Sequence, residues 1–164
     1  MTKPQSHGNL NIDDLAIQGR HRLNASVNEV AHFEKVRVLI VDDFEPWRRT
    51  VCSLLEDSSK IQIVGESSDG MDAVHQSEKL RPDLVLLDVQ LPKMNGLAAA
   101  RSIRAACPTT RILFLSSYQG IDIMREALKV GDGFVVKADA PRDLLPILEG
   151  VIRREPFLRF RFLH

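Results

Sequence analysis

The stretch PDLVLLDVQLPKMNG, residues 82–96, decides how the rest of the chain is read. Leu84-Val85-Leu86-Leu87 is an unbroken apolar run of the kind that fits a strand buried on both faces. It stops at a carboxylate, Asp88, and Pro92 and Gly96 then punctuate a loop. One aspartate at the end of a strand is an ordinary turn former or strand terminator. The tip of a buried parallel strand is also where open α/β sheets place their ligand sites. The neighbours that the fold gives to Asp88 decide between these readings.

Outward from this stretch, other apolar runs alternate with helical patterns. VRVLIVDD begins at Val36 and ends in the carboxylates Asp42 and Asp43. Phe44-Glu45-Pro46 opens a helix whose apolar face holds Trp47, Val51, Leu54 and Leu55, and which closes near Asp57-Ser58. IQIVGES is the second strand, and the helix after Ser68-Asp69-Gly70 turns Ala73, Val74 and Leu80 inward. After Asp88 a helix spans about Gly96 to Ala106 and Pro108 stops it. RILFLSS ends in Ser116 and Ser117, Ile121 to Val130 form the fourth helix, GFVVK ends at Lys137, and residues 141–154 form the last helix. Pro146 is the weak point of that helix, since its missing N–H should kink it outside the first turn. Five strands alternating with five helices predict an α/β fold. The expected sheet is parallel, with helices on both faces and a flavodoxin-like strand order 2-1-3-4-5.

Three segments follow: an N-terminal extension (1–34), a folded domain (35–154) and a short basic, aromatic tail (155–164). The extension is polar, lacks a clean period and reads as flexible, with at most one short helix. Phe157, Phe160, Phe162 and Leu163 interleave with Arg159 and Arg161 in the tail, which is read as covering the core edge or as a docking strip. Residues 36–149 hold 14 Lys/Arg against 17 Asp/Glu, a mildly acidic balance that argues against a nucleic-acid-binding face. No apolar run reaches the roughly 18–20 residues a membrane span needs. No secretion-type apolar centre is present near the start, and the expected location is the cytoplasm. Cys52 and Cys107 are each expected in a helix, reduced.

In a parallel sheet all strand C-termini lie on one edge, so Asp42, Asp43, Asp88, Ser116 and Lys137 should converge. Singly, each has a dull reading: a helix cap, a turn residue or a solvated cation. Together, crowded carboxylates repel one another unless a cation is bound. Oxygen-only ligands favour a hard ion, Mg²⁺ or Mn²⁺, and there is no His or Cys set for zinc. A carboxylate beside such an ion can act as a nucleophile toward a phosphoryl group, with the metal and an ammonium neutralising its oxygens.

The motifs LIVDDFEPWRRTV, LLDVQLPKMNG, FLSS and GFVVK, in that order, resemble the receiver domain of two-component response regulators over about Val36 to Glu149. The resemblance implies that Asp88 is the phosphoacceptor. It implies that Asp43 and Asp88 ligate Mg²⁺ directly, with Asp42 acting largely through water and the Gln90 backbone carbonyl completing the set. Ser116 matches the switch hydroxyl, Phe134 the switch aromatic, and Lys137 the lysine that pairs with the phosphoryl group. Ser116 and Phe134 are then expected to move inward on phosphorylation and to reshape the face made by the fourth helix, fifth strand and fifth helix.

Two residues depart from the commonest pattern. Ala138 replaces a frequent Pro, as in the subfamily that usually carries a helix-turn-helix output domain, and Phe134 replaces a commoner Tyr. Gln90 and Tyr118 flank the site and should influence hydrolysis of the acyl phosphate.

The implied partners are a sensor histidine kinase or phosphotransfer protein on the input side and a protein target or homodimer on the output side. No nucleic-acid or membrane contact is expected of this chain. It is read as a stand-alone receiver and as no enzyme beyond its own phosphorylation and dephosphorylation. One alternative is the receiver half of a DNA-binding transcription regulator whose output domain is absent. A second is a haloacid-dehalogenase-like phosphatase, which wants an acid where Gln90 stands, and a third is a pseudo-receiver that is never phosphorylated.

Overall fold

The strands form where β-branched and leucine residues run together: β1 Val36–Val41, β2 Ile61–Ser67, β3 Leu84–Asp88, β4 Arg111–Ser116 and β5 Gly133–Val136. Helices α1 Glu45–Glu56, α2 Gly70–Leu80, α3 Gly96–Ala106, α4 Ile121–Val130 and α5 Ala140–Ile152 alternate with them. This computed structural model describes residues 34–155. The expected extension before residue 34 and the tail from residue 156 lie outside the described residues.

The five strands are parallel in the order β2-β1-β3-β4-β5. Pleating sends alternate side chains to opposite faces, and both faces are covered. Leu39, Val41, Val85, Leu87, Ile112 and Phe114 pack with Ala73 of α2, Ala99 and Ile103 of α3, and Met124 of α4. The alternate residues Val38, Ile40, Leu84, Leu86, Leu113 and Leu115 meet Val51 and Leu55 of α1 and Leu144, Ile147 and Leu148 of α5. Central β3 is apolar on both sides because it has a helical layer above and below, and each of its residues is buried.

Asp69 and Asn95 cap α2 and α3, accepting hydrogen bonds from the N–H groups of Asp72 and Ala98. Chain order reverses beside β1, whose neighbours are β2 and β3, so the crevice outside the carboxyl ends of β1 and β3 is the switch point of the sheet. Asp42 and Asp88 stand there.

Boundaries differ from expectation at three places. Lys137 lies beyond β5, in a single 3₁₀ turn, Lys137–Asp139, that leads straight into α5. That helix covers 140–152 rather than 141–154 and runs through Pro146. The proline is on the exposed side, where the carbonyl it leaves without a donor can face water. Cys107 is the C-cap of α3 rather than a residue within it, and both cysteines are free. Among the described residues no helix is long and apolar enough to cross a membrane.

Candidate functional site

Local hydrogen bonding aims the side chains at the switch point. The N–H of Asp42 continues the sheet onto the Ser67 carbonyl, 3.0 Å away. Its Oδ1 accepts the N–H of Phe44 at 2.9 Å, which turns the chain out of β1 and into α1. Arg48 braces this corner, donating to the Asp42 carbonyl at 2.8 Å and to Glu66 Oε2 at 2.9 Å. At the end of β3, Asp88 Oδ1 accepts the N–H of Gln90 at 3.2 Å. Gly96 lets the loop after β3 fold back: a Cβ there would fall 2.0 Å from the Asp88 carbonyl oxygen.

Asp42, Asp43 and Asp88 each offer a carboxylate oxygen, and these atoms all lie within 4.8 Å of one another. Lys137 reaches in from the far side of the sheet. Its Nζ donates to Asp88 Oδ2 at 2.9 Å and lies 2.5 Å from Asp42 Oδ2. The second contact is a close ion pair to a buried carboxylate. Asp42 and Asp88 are buried, whereas Asp43 is exposed.

Burial raises the Asp88 pKa above the ordinary carboxylate value, and the nearby Asp42 charge adds to this. The hydrogen bond and charge of Lys137, with the Gln90 N–H, offset only part of the rise. Burial also works against the Lys137 ammonium, but the hydrogen bonds and charges of two carboxylates outweigh it and hold its pKa above the usual lysine value. Both partners of one ion pair are therefore raised. The asymmetry is physical: Lys137 has two anions beside it, while Asp88 shares one cation and faces a second anion.

This donor set fits a hard cation. It is all oxygen, and it brings three carboxylates against one ammonium. The contact formed by the Gln90 backbone is its N–H to Asp88, and Gln90 lines the same cleft.

Two neighbouring hydroxyls at the end of β4 differ in setting. Ser116 is buried at the end of β4, paired with Val136, and its Oγ accepts the Tyr118 N–H at 3.0 Å. The next residue, Ser117, lines the cleft wall with Asp43, Asp88 and Lys137. Phe134 is 1% exposed and packs in the core with Phe114 and Met124. Ser116 and Phe134 are thus both buried. A phenyl ring, unlike a tyrosine, has no hydroxyl to keep in water.

Trp47 was read from sequence only as part of an apolar helix face. It also lines the cleft, and the Lys137 ammonium lies 5.6 Å from its ring centroid. The signal available was its place in the first turn of the helix that follows the two carboxylates.

Comparison with known proteins matches this geometry. The family model described as "Response regulator receiver domain" matches residues 38–149. A protein-glutamate methylesterase/protein-glutamine glutaminase of Alkalilimnicola ehrlichii is 42% identical over 98 residues, covering 59% of this chain and 25% of that protein. The uncharacterized transcriptional regulatory protein YxjL of Bacillus subtilis is 28% identical over 127 residues, covering 77% of this chain and 58% of its own length. The signal receiver domain of the putative response regulator NarL from Mycobacterium tuberculosis superposes with a TM-score of 0.69 at 31% identity, covering 73% of this chain and 98% of that one.

The chain thus spans about a quarter of the methylesterase it matches and a little over half of YxjL. These relatives correct the reading of the chain as no enzyme: several are named as methylesterases and glutaminases, which are enzymes, although the similarity covers their receiver part alone. The physical reason is that the chemistry of a receiver cleft says nothing of what the receiver is joined to or controls. The family itself is settled by the match over residues 38–149, which takes in most of β1, the other four strands and every residue of the acidic cleft: the chain belongs to the response regulator receiver domains.

Proposed function

We propose that Asp88 accepts a phosphoryl group from a phosphohistidine of a sensor kinase or phosphotransfer protein, and that the phosphorylated domain changes how it binds a protein target or a second copy of itself. The observation that carries this reading is the position of the Asp88 carboxylate, at the tip of the central strand with Lys137 on one oxygen and two further carboxylates beside it. A carboxylate oxygen of Asp88 attacks phosphorus, a P–O bond forms and the P–N bond of the donor breaks. The imidazole leaves with the electron pair of that bond and takes up a proton.

Asp43 and Asp88, with Asp42 and the Gln90 carbonyl, would hold Mg²⁺ or Mn²⁺. The ion supplies charge neutralisation at the phosphoryl oxygens. Lys137 stays cationic because two carboxylates raise its pKa, and its ammonium transfers its hydrogen bonds to the incoming phosphoryl oxygens. The Ser116 hydroxyl donates a hydrogen bond to the same group while its oxygen still accepts the Tyr118 N–H. The change at the surface falls to residues 117–120 and to the face of α4, β5 and α5. The setting is cytoplasmic, in keeping with two free thiols.

The test is labelling by a small phosphodonor with Mg²⁺, read as an acid-stable, base-labile phosphate. Asp88→Asn is expected to abolish the label. Full labelling of that variant would overturn the assignment.

A further inference from the structure

We infer that Trp47 is a positioning residue for Lys137: the face of its indole holds the ammonium in the cleft while the carboxylates are engaged elsewhere. The inference rests on the phosphoacceptor reading above and adds a residue to it.

Lys137 leaves the 3₁₀ turn after β5 and must cross the carboxyl edge of the sheet to reach Asp42 and Asp88, which follow β1 and end β3. A lysine stem has many rotamers, so such a reach needs a fixed endpoint. Two carboxylates provide one only while they are free to bind it. A divalent cation on those carboxylates would take over their charge and repel the ammonium at the same moment. Lys137 is needed in the cleft at that point, when the phosphoryl group arrives. A neutral host does not have this conflict.

The indole face is such a host, because its quadrupole attracts a cation without carrying a charge that a metal could claim. The ammonium lies 5.6 Å from the ring centroid. Trp47 is itself fixed. It sits in the first turn of α1, its N–H donates to the Phe44 carbonyl at 3.0 Å, and its ring packs on the Val51 and Leu55 side of the core. The indole Nε1 is buried and has no hydrogen-bond partner. A ring placed for its polar edge would have satisfied that N–H, whereas this ring is placed for its faces.

Two substitutions separate the roles of the ring. Trp47→Phe keeps an aromatic face and removes the orphaned N–H. Trp47→Leu keeps apolar bulk without a quadrupole. With a small phosphodonor and Mg²⁺, Trp47→Phe is expected to retain most of the labelling rate at Asp88, while Trp47→Leu slows it about tenfold. Residues that merely fill space would give equal rates in the two variants, and equal rates would overturn the inference.

A second measurement needs no Trp47 variant to fold. Trp47 is the single tryptophan of the chain, so its emission reports the contact directly. Without metal, Lys137→Met is expected to change that emission, because the ammonium leaves the ring. A spectrum superimposable on that of the unaltered chain would overturn the inference. Failure of the underlying reading looks different: the unaltered chain would take no label, or Asp88→Asn would take it equally.

Discussion

Asp88 and Asp132 stand at opposite edges of the same sheet and are treated in opposite ways. Asp132 lies just before β5, with its side chain 20% exposed. Arg104 donates to one of its oxygens at 2.7 Å, Arg111 to the other at 3.1 Å, and the Ile112 N–H adds a bond at 2.9 Å. Burial raises its pKa as it does for Asp88, but two guanidinium groups and a backbone donor reverse the sign and leave it below the usual value. Asp88 has one ammonium, one N–H and two carboxylate neighbours, and ends above the usual value. The edge whose charge is satisfied fastens α3, β4 and β5 together. The edge whose charge is left in surplus can respond to a cation or a phosphoryl group, because it gains from either.

The sharpest way to break this comparison is to remove each carboxylate. Asp132→Ala leaves two guanidinium groups and the Ile112 N–H without their acceptor and should destabilise the domain by about 3 kcal/mol. The midpoint of urea unfolding is expected to fall with an unchanged slope. A loss under about 0.5 kcal/mol would mean that Asp132 is no fastener, since that is the range of ordinary surface changes.

At the other edge a cation should stabilise. Mg²⁺ at a hundredfold excess over its dissociation constant is expected to add about 2.7 kcal/mol. Asp43→Asn should remove most of that gain, whereas Asp132→Ala should leave it intact. Equal gains in all three proteins would place the ion elsewhere.

Removing the Asp88 charge should have a smaller effect of opposite sign to that at Asp132. Without metal, Asp88→Asn relieves burial of a carboxylate beside Asp42 but gives up one contact of Lys137, and the balance should stabilise by about 1 kcal/mol. Thermal unfolding in a chelator reads it. A lower midpoint than that of the unaltered chain would show that the ion pair already compensates the burial.

The two edges also differed in how legible they were. Asp42, Asp88 and Lys137 each end or follow an apolar strand, so the parallel topology alone brings them together, and β2, α3 and α4 have the limits their patterns indicate. Asp132 sits in the run Gly131-Asp132-Gly133, which reads as a turn. Its partners come from 20 to 28 positions upstream, with no periodicity to link them. Lys93, between Pro92 and Gly96, carries no signal in the sequence, but it adopts a left-handed φ of 62° and pairs with Asp69 at 2.6 Å. Trp47 was hidden for a different reason: an apolar helical period says which face a ring occupies, not what approaches the ring from across the sheet.

Acid titration of stability gives the finest separation of the edges, because the two pKa shifts have opposite signs. The folded-state pKa of Asp88 lies above its unfolded value, so its ionised form opposes folding at neutral pH. That penalty is complete above the folded pKa and disappears as pH falls through it toward about 4. The folded-state pKa of Asp132 lies below its unfolded value. Its contribution is complete above about pH 4 and is lost only as pH falls further, through the folded pKa. The stability gap between the unaltered chain and Asp88→Asn should therefore close first on acidification. The pH-dependent part of the Asp132→Ala gap should begin to close only after that. Urea unfolding at stepped pH measures both gaps, and closure of the two in one common window would mean that the charges at the two edges are compensated alike.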